Sequence, residues 1–194
     1  MAGAGSLPVL RAQFMRRIDE EGFRPCTPPQ IRTGGTSEPA RYDAAADAIE
    51  VAPRARSAAD GSAGTDSTPA ADDAGLRWAF VHELGHWWQA CRHLTRPESY
   101  AAENGANRIA LAFWREREPR FAAGIVHGFA ALLGSTPSPV PAAQSAQAYF
   151  DANFSTIVQA DAYTLFQGKM IVELAAETPA PSLHRALSQP LYPW

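Results

Sequence analysis

The chain has 194 residues, 46% of them hydrophobic and 19% charged, with a formal net charge of −3. That is enough chain for one domain with a real core, and the composition is that of an ordinary globular protein. The acidic balance argues against a dedicated nucleic-acid binder, which would carry a basic face, and no run reaches the roughly 18 apolar residues of a membrane span.

Residues 7–20 place Leu10, Phe14, Met15 and Ile18 at helical spacing, which predicts a first helix. The start of the chain lacks the basic opening and continuous apolar stretch of a signal peptide, so no leader is expected. Cys26 and Cys91 are the only cysteines. Two cysteines far apart make no disulfide framework, and the expectation is two reduced thiols in a cytoplasmic protein. Arginine supplies nearly all the basic residues, with Lys169 the one lysine. With the many alanines, this reads as the signature of a GC-rich genome rather than of a function.

"GFRPCTPPQ" breaks the first helix with Gly22, Pro25, Pro28 and Pro29. In the stretch that follows, Ile49 and Val51 alternate with Glu50, and "DAAAD" could turn "ARY" back against "AIEV". The pattern predicts a small antiparallel sheet. Residues 53–71, rich in Ala, Ser, Gly, Asp and Thr, predict a flexible loop long enough to cover something.

From there to the end the chain reads as helices. One runs from about Thr68 or Asp72 to His93. "TRPE", Thr95 to Glu98, has capping-box spacing for a second, which Pro119 stops after Glu118. "RFAAGIVHGFAALLG", "AQSAQAYFDANFSTIVQ" and "DAYTLFQGKMIVELAAE" give three more, and the tail holds one further helical turn. The expected class is α+β: one mainly helical domain over residues 1–194. It comprises an N-terminal helix and sheet (1–52), the loop (53–71), a central helix pair (72–118) and a helical C-terminal part (119–194).

The chemistry sits in "HELGH". His82 and His86 stand four apart on one helical face, so both imidazoles can reach one metal ion. Glu83 points about 100° around the helix from His82, too far for a natural third ligand but placed to touch a metal-bound water. Trp78, Val81, Gly85 and Trp88 form an apolar opposite face. A catalytic zinc needs a third protein ligand and one open position. A third histidine further along the same helix is excluded, because Gln89 and Arg92 occupy the positions that pattern needs. Glu103 in "ESYAAENGAN", on the next helix and across a short turn, is the alternative, with Asn107 one turn beyond it on the same face.

"HELGH" followed by "ENGAN" resembles the gluzincin zinc metallopeptidases, whose pattern is HExxH, a spacer, and ExxA(N/D) on the following helix. The resemblance covers roughly residues 72–118. It implies a zincin-like fold, with His82, His86 and Glu103 as ligands to Zn2+ and Glu83 as general base. It also implies Asn107 as a residue orienting a histidine ligand, and a sheet whose edge strand holds the peptide, for which "AIEV" is the candidate. The activity it implies is peptide hydrolysis, with a zinc-bound water activated by Glu83 attacking the peptide carbonyl. The partner would be a peptide or protein substrate, with no nucleic acid and no membrane. Tyr163 is the first candidate for stabilising the oxyanion, ahead of His127 and Tyr149. The alternative is a non-catalytic or regulatory zinc protein on the same scaffold that binds a specific partner. Glu83 speaks against it, since a structural metal site has no use for an acid there.

Overall fold

The computed structural model describes residues 6–24, 26–36, 38–53, 74–93 and 98–189. The expected loop 53–71 lies outside them except for Pro53, as does Thr95 of the expected capping box. The described elements are α1 (Leu7–Glu20), β1 (Gln30–Thr33), β2 (Ala40–Asp43), β3 (Ala48–Val51), α2 (Ala74–Arg92), α3 (Tyr100–Arg117), α4 (Pro119–Ser135), α5 (Ala146–Ile157), α6 (Ala162–Ala176) and α7 (Leu183–Ser188). The chain is mainly helical with one small sheet. Among the described residues no helix is long and apolar enough to cross a membrane. The chain divides into two compact units, Met1–Trp87 and Trp88–Trp194. The division falls inside α2, which runs unbroken through it.

In the first unit, α1 buries Leu7, Leu10, Phe14 and Ile18, one stripe at helical spacing. Met15 is only half-buried, and Leu7 takes the fourth core position. Arg11 donates to the Pro29 carbonyl at 2.6 Å, tying α1 to the entry of the sheet. The sheet is mixed, in the order β1-β3-β2, which corrects the antiparallel expectation. β2 and β3 form the anticipated hairpin, with Tyr42 opposite Ile49. β1 adds in parallel on the other side of β3, with Ile31 opposite Ile49. Two chain reversals separate β1 from β3, so the two run the same way. The central strand is therefore "AIEV", and the edges are β1 and β2. This also corrects the placing of "AIEV" at an edge.

Side chains set the hairpin turn. Asp43 Oδ1 accepts the backbone N–H groups of Ala45 and Ala46. Asp47 adopts a left-handed φ of 45°, which Asp tolerates better than most residues. At Gly35, φ is +83°, a conformation glycine adopts without strain, and a Cβ there would also displace the Glu50 carboxylate, whose nearest oxygen is 2.6 Å away.

In the second unit α3 is the central helix, buried almost continuously from Ala102 to Trp114 and packed against α4, α6 and α7. Its N-cap is Ser99, whose hydroxyl accepts the N–H of Ala102, rather than the expected Thr95. Pro119 ends α3 by serving as the first residue of α4. Arg108 grips Glu177 through two bonds of 2.5 Å, and Arg115 donates to the Ala175 carbonyl. Glu116 accepts the N–H of Leu183 at the start of α7. Arg115 and Glu116 thus fasten the end of α3 to α6 and to the start of α7. α6 crosses α4 closely at Gly168, where a Cβ would meet the Phe129 ring at 2.8 Å. Phe150, Ile157, Phe166 and Met170 form the core shared by α5 and α6.

The expectation of two reduced thiols is also corrected. Cys26 and Cys91 are both disulfide-bonded. Wide spacing in sequence carries no information on proximity in the fold, which is why a lone pair of cysteines could not be read as a bridge.

Candidate metal centre

α2 forms because its run from Ala74 to Arg92 holds no proline and is dominated by apolar side chains. From Phe80 to Gln89 every residue is buried except His86, which is half-exposed. The helix is therefore enclosed on all sides there, beyond the single apolar face expected. The i, i+4 spacing does what it predicts: the Nε2 atoms of His82 and His86 lie 3.0 Å apart. The rings meet edge to face, with centroids 4.7 Å apart. Two imidazole nitrogens held at 2.0–2.1 Å in a tetrahedral zinc shell would stand about 3.4 Å apart. The pair is close to that separation.

Glu83 belongs to the same locality. One carboxylate oxygen, Oε1, is 3.9 Å from His82 Nε2. The other, Oε2, accepts the backbone N–H of Tyr42 at 2.7 Å. The register of the hairpin explains that donor. Ala52 donates to the Pro39 carbonyl, so pairs on that parity carry the ladder bonds. Tyr42 and Ile49 form the intervening pair, whose N–H and C=O groups point away from each other. Tyr42 lies on edge strand β2, so its amide is turned outward and meets Glu83. The phenol of Tyr42 donates to Asp47 Oδ1 at 3.1 Å. Burial, reinforced by that bond and the charge on Asp47, pushes the phenol up to about 12.

Glu103 sits in the first turn of α3, only 5% exposed. Gln89, from the last turns of α2, donates to the carbonyl of the adjacent Ala102 at 2.9 Å and so fixes that turn. Two neutral donors on α6 share one oxygen of the Glu103 carboxylate. The Tyr163 hydroxyl donates to Oε2 at 2.8 Å, and Gln167 Nε2 donates to the same atom at 2.7 Å. Gln167 Oε1 in turn accepts from Asn107 Nδ2 at 2.5 Å, and that amide also approaches Met170 Sδ at 3.6 Å. Asn107 is thus linked to Glu103 through Gln167.

His82, His86 and Glu103 each offer a ligand atom, and these atoms all lie within 4.8 Å of one another. Two imidazoles and a carboxylate are a donor set zinc accepts, and three protein ligands leave a position open. The three residues therefore fit the ion the sequence implied. His86 is the one member of the group that is not fully buried.

Of the other residues singled out in the sequence, Tyr163 is joined to the Glu103 carboxylate as described. Tyr149 stacks on Phe166 in the α5–α6 core, and His127 is exposed on α4. Next to His86 in the chain, Trp87 is buried. Two participants were missed. Gln167 had one signal, a polar side chain four residues after Tyr163 and between Phe166 and Gly168. The Tyr42 amide had none, because a backbone group leaves no mark in composition.

No protein-family model matches this chain, and no curated protein or solved structure is significantly similar to it. The likeness to gluzincins therefore rests on the two motifs.

Proposed function

We propose that this protein is a zinc-dependent peptide hydrolase of gluzincin type. The observation that carries the reading is the convergence of His82, His86 and Glu103 donor atoms within 4.8 Å. The carboxylate of Glu83, 3.9 Å from the first of those donors, adds the general base that such a reaction needs. When bound, zinc supplies a Lewis acid that brings a water's pKa toward neutrality and polarises a carbonyl. Glu83 is the base that takes the proton from the attacking water and passes it to the departing amine nitrogen. The Tyr42 amide, bonded to Glu83 Oε2, favours the ionised carboxylate and fixes its direction. Edge strand β2 carries that amide, so β2 takes the place first given to "AIEV" as the strand beside an extended peptide.

The substrate under this reading is a peptide or protein, with neither nucleic acid nor a membrane as partner. A disulfide at Cys26 and Cys91 favours an oxidising compartment.

The test is metal content by elemental mass spectrometry, on wild type beside Glu103→Ala. Near-stoichiometric zinc in wild type, falling in the variant, is the expected result. A wild type that holds no zinc after zinc is offered and the excess removed overturns the metal reading and the enzyme reading with it.

A further inference from the structure

Gln167 has no role in the reaction as proposed, yet it occupies a costly position. It is a buried amide on α6, 9% exposed, in a helix whose other buried residues are apolar or glycine. A buried amide is tolerable only when its donors and acceptor are engaged. Here the engagement has a direction. Asn107 Nδ2 donates to the Gln167 carbonyl oxygen at 2.5 Å, which turns the Gln167 amide nitrogen toward Glu103 Oε2, 2.7 Å away. With the amide reversed, two carbonyl-type oxygens would face each other and two NH2 groups would collide. Asn107 is fully buried and cannot swing out to permit this.

Tyr163, one helical turn before Gln167, donates to the same oxygen at 2.8 Å. Two donors on one oxygen define both the rotation and the tilt of the carboxylate plane. They leave Oε1 as the oxygen these two do not hold. Both donors are neutral. A lysine or arginine there would cancel the carboxylate charge, whereas an amide and a hydroxyl orient it and leave the charge available to a cation.

We propose that Gln167, aimed by Asn107 and assisted by Tyr163, is the positioning residue that holds Glu103 in its metal-ligating orientation. The inference rests on the metal reading above and deepens it. Groups that orient a metal's ligands through hydrogen bonds typically contribute 10- to 100-fold in metal affinity. Gln167 acts through Glu103 and touches neither a metal nor a substrate.

The test uses the full chain and zinc alone. The zinc dissociation constant is measured by competition with a chromophoric chelator for wild type, Gln167→Leu and Tyr163→Phe. The visible absorption of each protein loaded with Co2+ is recorded beside it. Gln167→Leu is expected to weaken zinc by about 10- to 100-fold and to alter the cobalt bands. Tyr163→Phe, which removes a single hydroxyl and keeps the ring, is expected to weaken zinc several-fold and covers the case in which Gln167→Leu does not fold. Zinc affinity within about twofold of wild type and an unchanged cobalt spectrum in the folded variants would overturn the positioning role while leaving the metal reading intact. A wild type that takes up neither zinc nor cobalt would overturn both.

Discussion

Replacing Glu83 by glutamine separates the chemistry of the site from its architecture. Glutamine has nearly the same shape, and its carbonyl oxygen can still accept the Tyr42 amide that Glu83 Oε2 accepts at 2.7 Å. The change at that contact is from a charged to a neutral acceptor, a difference of about 1 kcal/mol. The metal ligands are untouched, so zinc content should match wild type. What disappears is the group that takes a proton. General-base catalysis contributes about 10²- to 10⁴-fold, or about 3 to 5 kcal/mol of barrier, so kcat/KM should fall by that factor. The assay is cleavage of a diverse peptide mixture, with product appearance followed by mass spectrometry and each variant checked for zinc and for its melting temperature. Wild-type turnover by a zinc-loaded Glu83→Gln protein would refute the assignment of Glu83 as base. Loss of zinc in that variant would instead show that Glu83 takes part in holding the metal.

Tyr42→Pro removes the backbone donor to Glu83, in an edge strand that accepts proline, together with the phenol that donates to Asp47, so it is compared with Tyr42→Ala, which removes the phenol alone. Turnover should drop below that of Tyr42→Ala while zinc content holds; unchanged kcat between the two would mean the amide does not set the base. Thiol titration of the unfolded protein should find no free thiol before reduction and both cysteines after it, and free thiols in the unreduced protein would remove the bridge. Glu177 is held below the usual carboxylate range, chiefly by its hydrogen bonds to Arg108. A depressed folded pKa means the pair's contribution is present above the unfolded carboxylate value and is lost as pH falls through the folded one. Denaturant melts of wild type and Glu177→Gln should therefore differ at neutral pH and converge in acid, and a gap that stays constant to pH 2 would contradict the pairing. The margin should be modest, because the pair is partly exposed to solvent.

The sequence alone determined the helices and the identity of the metal-binding candidates. Spacing of four along a helix brings His82 and His86 together whatever surrounds them, because that distance is local geometry. The hairpin was legible for the same reason, with Asp43 and Asp47 bracketing a turn between alternating strands. Only the tertiary structure decided the rest. Strand β1, with Ile31 as its one large apolar residue, becomes a strand because β3 offers it a partner, and no short-range pattern records that. The bonding of Cys26 and Cys91 depends on where the chain returns, which spacing does not encode. Glu103 could be named from its motif, but the donors that hold it come from α6, some sixty residues away in the chain. Those bonds exist because helix packing sets Tyr163 and Gln167 against α3, and packing is a property of the whole fold.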